Sequence, residues 1–538
     1  MSTATTEMPG PVTARAGGSL TGTGHLVRLA LRRDRILLPV WFVVLALTPA
    51  GTVGAYEQLY PTRAEREALT TSMGGNPSIT LLYGPAHDLS TAGGFTAWRY
   101  GTLLPLFLAL ACVFVVTRHT RQEEDTGRQE LLSSTVVGRY APLTAALLVG
   151  AGLSLATGLA ASGAMVAAGM AASGSLAFGL GMASVGLVFT GVAGVTAQIA
   201  EYSRTANGLA GAALGVTFAL RAIGDSTTGL DWLSWLSPIG WATQVRAFTD
   251  DRFTVLLLPL IVTCVLVGVA CALRPRRDVG LGLLPATLGP SGASPRLRTT
   301  FALAVRLHRA MLTGWLSGFV VLGALFGSLA SGMGDIVGDS AEMRRMLARM
   351  GGSEAVVDAY LATIANFAGM VAALFAVQAV LRMRAEETAV RAEPLLATGV
   401  GRLRWLAGHL VFVFTGSAAL VLAAGVSIGA LHGARVGDVG GETAALLGAC
   451  LAQLPAVWVV AAAAVALFGL VPAFTTAAWA IAALAVLISM FGPVLDVGQL
   501  VLDLSPFEHV PRLPGAEVRA APFVWLGGVA AVLLAAGS

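Results

Sequence analysis

The sequence predicts an all-α integral membrane protein with twelve transmembrane helices, set out as two parallel six-helix repeats. Three observations predict this. Of 538 residues, 55% are hydrophobic and only 12% charged, about half the charged content of a soluble domain. Apolar runs long enough to cross about 30 Å of hydrocarbon recur along the whole chain. One charged stretch, Arg121 to Arg139, occurs a second time at Arg384 to Arg402.

Residues 1–24 are rich in Ser, Thr, Gly and Pro and lack the apolar core of a signal peptide, so they read as a flexible tail. The apolar runs of the first half (25–273) fall at 36–56, 101–117, 141–170, 174–199, 205–221 and 253–273. Residues 274–299, with Pro275, Pro285, Pro290 and Pro295, read as a linker. In the second half (300–538) the runs fall at 310–331, 361–381, 405–431, 443–468, 474–495 and 521–538, the tenth and eleventh parted only by the uncharged "GLVPAFTT". Cys112, Cys264, Cys271 and Cys450 lie in or beside these runs without metal-ligand spacing, as packing thiols do.

With the N-terminus inside, 22 Arg fall on the inner side and 12 on the outer, against 11 and 19 acidic residues. Arg excess marks the cytoplasmic side, so both termini are expected there. All basic residues are Arg. A phosphate-cradling Walker A loop needs its lysine, so this chain cannot carry one, and ATP chemistry would have to sit on another polypeptide.

The two charged islands align without gaps at an offset of 263, with ten of nineteen positions identical, where unrelated segments would share roughly one or two. Arg35 and Trp41 also recur as Arg309 and Trp315, Met73-Gly74-Gly75 as Met350-Gly351-Gly352, and Leu236-Ser237-Pro238 as Leu504-Ser505-Pro506. Six spans is an even number, so two copies would enter the membrane with one orientation, a parallel repeat. In the first island Glu124 precedes Arg128 by four residues, as Glu387 precedes Arg391 in the second, the order that supports a short helix. Duplication of the charges suggests two equivalent cytoplasmic surfaces meeting two equivalent partners.

The pattern of acidic pair, Arg, Glu and "LLS" after the second span of a six-span unit resembles the cytoplasmic coupling helix of type 2 ABC exporters. The double-length layout resembles their polyketide-antibiotic (tetronasin-type) group. The resemblance implies a permease in the bacterial cytoplasmic (inner) membrane. It also implies two copies of a separate ABC ATPase subunit, which bind ATP and Mg. Glu123, Glu124, Arg128 and Glu130 would couple to one copy, and Glu386, Glu387, Arg391 and Glu393 to the other. Val390 in place of Gly127, and Pro394 in place of Leu131, depart from the pattern and imply a weaker second contact.

"HLVRLALRRDR" (25–35) and "TFALAVRLHR" (300–309) each place Arg on one helical face, as an interfacial helix at an anionic leaflet would. Two outer segments opened by Thr62 and Ser340 and closed by Gly read as short helices, and Trp232, Trp235 and Trp241 as interface anchors. No Asp, Glu or Arg lies inside a run away from its ends; Arg221 and His409 read as boundary residues. A proton-driven carrier normally keeps such a group at mid-membrane. An uncharged bundle suits a hydrophobic or amphipathic small-molecule cargo, with Trp41, Phe42, Phe218 and Trp315 as candidate cavity residues. No nucleic-acid patch, nucleophile triad or metal spacing is present in the sequence. The function expected is ATP-driven export; the alternatives are a proton-driven twelve-span multidrug transporter and a non-transporting membrane scaffold or sensor.

Overall fold

The computed structural model describes residues 18–74, 77–227, 229–284, 291–292, 294–295, 297–337, 352–491, 498–516 and 518–538. The chain divides into two compact units, Met1–Gly289 and Pro290–Ser538. Every regular element among the described residues is helical, and eleven helices are long and apolar enough to cross a membrane. This is an all-α integral membrane protein.

In the first unit, helix α1 (Thr23–Arg33) carries Arg28 and Arg32 exposed, and a turn centred on buried Asp34 separates it from α2 (Leu37–Leu47). Asp34 is held there by His119 at 2.7 Å and Arg118 at 3.0 Å. The single crossing expected at 36–56 is instead broken. Eleven helical residues rise only about 16 Å, and Pro49, which cannot donate a helical hydrogen bond, directs the chain through a turn into α3 (Thr52–Leu59). Helix α4 (Arg63–Gly74) opens on a capping box, Glu65 N–H to Thr62 Oγ1 at 3.3 Å and Thr62 N–H to Glu65 Oε2 at 3.1 Å. Short helices α5 (Pro77–Tyr83) and α6 (Ala92–Tyr100) complete this end.

The remaining spans of the unit follow the apolar runs closely. They are α7 (Leu103–Arg118), α10 (Ala141–Ala167), α11 (Ala172–Ile199), α12 (Ser203–Ser226) and α14 (Leu257–Leu273), with α8 (Arg121–Asp125) and α9 (Arg128–Ser133) between α7 and α10. Lipid offers apolar side chains no reason to leave it, so spans associate through close packing and hydrogen bonds. Helix α11 sits at the centre for that reason. A methyl group on Gly179 would lie 2.2 Å from the Gly158 carbonyl oxygen of α10, and Ser154 Oγ donates to the Ala183 carbonyl at 2.6 Å. Between α12 and α14, a 3-10 turn (Asp231–Leu236) and α13 (Pro238–Gln244) pack back against α11 and α12. Trp232 and Trp235 are exposed as expected of anchors, but Trp241 is buried and donates to the Trp235 carbonyl at 2.6 Å. The chain reverses here and carries Trp241 inward with Ile239.

In the second unit, α15 (Thr300–Val337) is one continuous helix. The separate interfacial helix expected at 300–309 is therefore its first turns, because His308, at the position of Asp34 in the repeat, stays within the helix. Helix α16 (Gly352–Thr388) likewise carries straight into the second island, followed by α17 (Glu393–Leu396) and α18 (Arg402–Val436). Close glycine contacts recur here, Gly323 and Gly327 of α15 lying against Ser427 and Ile428 of α18. Helices α19 (Val439–Leu451) and α20 (Leu454–Leu470) form the next crossing, which ends before Pro472 as the sequence expects. A 3-10 turn (Pro472–Ala477) leads into α21 (Ala478–Phe491), then α22 (Gln499–Leu502) and α23 (Ala520–Gly537). The expected helix at Ser340, the repeated Met350-Gly351 and most of the expected tail at 1–24 lie outside the described residues.

The two Leu-Ser-Pro segments share a serine-to-carbonyl contact and each accept a nearby N–H. Ser237 Oγ donates to the Thr217 carbonyl at 2.7 Å and accepts from Gly240 N–H; Ser505 Oγ donates to the Ala485 carbonyl at 3.1 Å and accepts from Phe507 N–H. Both the serines and the carbonyls they bind are 268 residues apart.

The charged islands as a candidate partner-docking site

In the first unit the island is built on the C-terminus of α11, where the last carbonyls of a helix lack internal partners. Arg121 is fully buried and donates from Nε to the Ala197 carbonyl at 2.9 Å. Its guanidinium also meets Glu124 at 2.8 Å and the Leu281 carbonyl at 3.1 Å. Glu124 lies at the centre of this knot, its side chain 4% exposed. Arg277 grips it with two bonds of 2.7 Å, the Gly280 N–H adds a third at 3.2 Å, and Arg274 stands 3.9 Å away. The first residues of the expected linker are thus folded onto the unit, with Leu283 and Leu284 N–H groups bonded to the Gln198 and Ile199 carbonyls at 3.1 Å. Glu124 does not pair with Arg128, contrary to the four-residue spacing, because Arg121 of its own helix and Arg274 and Arg277 from the linker occupy it.

Glu123 makes the remaining ion pairs, with Arg33 of α1 and with Arg128 at 3.8 Å. Gly127 turns the chain through a left-handed conformation (φ 71°) between α8 and α9. Among the residues the island leaves exposed are Gln122, Arg128, Glu130, Leu131 and Val136, the two apolar side chains 73% and 79% accessible.

The second island repeats this scheme at the same offset. Glu386 accepts from Arg391 at 2.8 Å, as Glu123 pairs with Arg128, and Arg384 pairs with Glu387 at 3.3 Å, as Arg121 pairs with Glu124. The bond to Glu386 pushes the Arg391 guanidinium above its ordinary pKa. Val390 takes the left-handed turn of Gly127 with φ 58°, a conformation a β-branched residue adopts only against strain. Pro394 falls in the first turn of α17, where its missing N–H costs nothing. Two differences stand out. Arg382, one turn before, adds a second cation to Glu386 at 2.9 Å, and Glu387 has no cage: its side chain is 36% exposed. Arg391, Glu393, Pro394 and Val390 form the exposed rim.

Residues 297–538 match the family described as multidrug efflux system permease Rv1217c, C-terminal domain. Over 524 residues the chain is 43% identical to the multidrug efflux system permease protein Rv1217c of Mycobacterium tuberculosis (strain ATCC 25618 / H37Rv), covering 97% of this chain and 95% of that protein. The chain belongs to this family of multidrug efflux permeases.

Within the first unit, the aromatic residues expected at a cavity fall into two core clusters. Trp41 and Phe42 pack on a core cluster around Leu104 and Leu108. Phe218 belongs to another, around Phe189, with the Arg221 guanidinium 5.7 Å from its ring. Trp315, in the other unit, donates to Gln378 at 2.8 Å and packs near Phe375.

Several buried polar groups of the permease escaped the sequence reading. Arg221 is buried near the end of its span, 3.0 Å from Asp225, and bonded to the Leu81 carbonyl and to Thr102. Its signal was Arg and Asp four apart. His409 is buried and shares a 2.9 Å hydrogen bond with His308, a pairing that no local spacing announces.

At the end of the first unit opposite its island, a small cavity of about 50 Å³ is lined by Tyr83, His87, Trp98, Phe178, Met182 and Arg246 among others. Its wall is a loop in which Arg246, Phe248 and Asp251 all have positive φ (50°, 64° and 45°), at roughly 1–3 kcal/mol of strain each. Phe248 holds the loop by filling the space that side chains on Gly93 and Gly174 would take. Bonds from Arg252 and Arg246 hold the Asp250 carboxyl below its usual range. That clamp is intact at neutral pH and opens as pH falls through the lowered value.

Proposed function

We propose that this permease is the membrane subunit of an ATP-driven exporter of hydrophobic or amphipathic small molecules, energised by two copies of a separate ABC ATPase that dock on the islands. The observation that carries the reading is the recurrence, at one offset, of the same latch. An acidic residue is pinned by an arginine five residues later, across a left-handed turn, and the positions beyond it stay exposed. Gene duplication accounts for that recurrence, and for the matched serine contacts at offset 268. A rigid, ion-paired base with an exposed rim is what a force-bearing contact needs.

The rim refines the expected coupling residues. Glu123, Glu124 and Glu386 serve the base of each island, whereas Arg128, Glu130, Leu131, Arg391 and Glu393 are the groups a partner would meet. The chain has no lysine for a phosphate loop, so ATP and Mg belong to the partner. The buried carboxylate Asp34 is held by Arg118 at 3.0 Å and by His119 at 2.7 Å. This favours ATP over proton cycling, because a committed carboxylate is a poor proton carrier. The multidrug description of the relative agrees with an uncharged pathway for apolar cargo.

Leu131→Asp tests the reading. The variant is expected to insert in the membrane at the level of the parent while association of the ATPase, and drug-stimulated ATP hydrolysis by the pair, fall at least about tenfold, as for loss of one central interface anchor. Pro394→Asp is expected to do less. Normal association and export by both variants would remove the islands from the mechanism.

A further inference from the structure

A groove of about 540 Å³ runs along the first unit between α10, α11 and α14. Its walls are Leu147, Leu148, Ala151, Leu187 and Val267, with Thr190 and Thr263 towards the far end and Tyr140, Thr144 and Ser19 towards the island end. Along α14 it extends from Thr263 to Cys271, about 12 Å at the helical rise. So large an apolar space gives water too few polar partners to hold it, and beside a bilayer the available apolar filling is a hydrocarbon chain.

The island end of the groove has a distinct chemistry. Arg139 directly precedes Tyr140, and its guanidinium donates to the carbonyl of Pro275, the residue before Arg276, at 2.9 Å. Both arginines are exposed, and neither has a carboxylate partner among the described residues. Arg33, Arg118, Arg121, Arg128, Arg274 and Arg277 are all ion-paired. Two unneutralised arginines next to the segments that form the island end of an apolar slot match an anionic head joined to an acyl tail. Basic pockets between spans on the cytoplasmic side recognise such lipids, and planar guanidinium forks suit phosphate.

We propose that this groove is a binding site for one anionic phospholipid, its phosphate held by Arg139 and Arg276 and one acyl chain lying between α10, α11 and α14. The site belongs to the first unit alone and is independent of the ATPase reading.

Native mass spectrometry of the delipidated full-length permease, titrated with dioleoylphosphatidylglycerol or dioleoylphosphatidylcholine, tests it. One phosphatidylglycerol is expected to remain bound, preferred over phosphatidylcholine by about tenfold or more. Arg139→Gln with Arg276→Gln should abolish the preference, and the double Lys variant should keep most of it. Ala151→Phe, which fills the slot and leaves the arginines alone, should lose retention of the lipid. Inorganic phosphate at millimolar concentration should not displace it. Equal retention of both lipids, survival of the preference in the Gln variant, or displacement by phosphate alone would each overturn the proposal. Thermal unfolding of each variant in detergent guards against misfolding as the cause.

Discussion

Glu124 and Glu387 occupy equivalent positions and live in different electrostatic worlds. Glu124 is the one carboxylate among Arg121, Arg274 and Arg277, with its excess positive charge spread over the carbonyls of Ala197 and Leu281. Removing a buried counter-ion leaves uncompensated charge, at about 3–5 kcal/mol, so Glu124→Gln is expected to destabilise the first unit strongly and to free residues 277–284 from it. Glu387→Gln breaks a half-exposed pair worth less than about 1 kcal/mol. Thermal aggregation in detergent, with limited trypsin cleavage at Arg277, checks the contrast; equal effects of the two changes would remove the cage from the account. The cage was illegible in the sequence because two of its three arginines, Arg274 and Arg277, stand about 150 residues from Glu124, and nothing in a local charge pattern shows which cation reaches it first. The pairing of Glu123 with Arg128 was equally hidden, since a spacing of four favoured the neighbouring Glu124.

At the scale of elements, the long spans were the most readable feature. Continuous apolar runs leave a helix as the only way to satisfy the backbone in lipid, and the runs at 141–170 and 174–199 became α10 and α11 almost to the residue. Breaks were less readable. The first run hid the stop at Pro49, and the elbow at 300–309 merged with its span because His308 makes no turn-forming ion pair where Asp34 does. The strained loop 246–251 had no sequence signal, since it lacks the glycines that usually mark positive φ; its glycines are Gly93 and Gly174, which receive Phe248. A methyl group at either would lie within 2.4 Å of that ring. Gly93→Ala and Gly174→Ala are therefore each expected to expel Phe248 and speed trypsin cleavage at Arg246 and Arg252 several-fold. Parent-like cleavage would show that the loop is held by other means.

For the whole molecule, family membership rests on 43% identity across nearly the entire chain, and the duplicated islands point to how such a permease is driven. Repetition was readable because charge is rare here, so a repeated charged stretch rises far above an apolar background. What the repeat does not carry is sameness: the first island is caged by its own linker and the second is open, and a partner bound to each would work against bases of different stiffness. The central claim is that a separate nucleotide-hydrolysing subunit, and no ion gradient, powers export. It is tested most directly by drug transport in proteoliposomes holding the purified permease and its ATPase, with the proton gradient collapsed by an ionophore. Transport that continues with ATP and stops without it is the predicted result; transport that needs the gradient and ignores ATP would contradict the account.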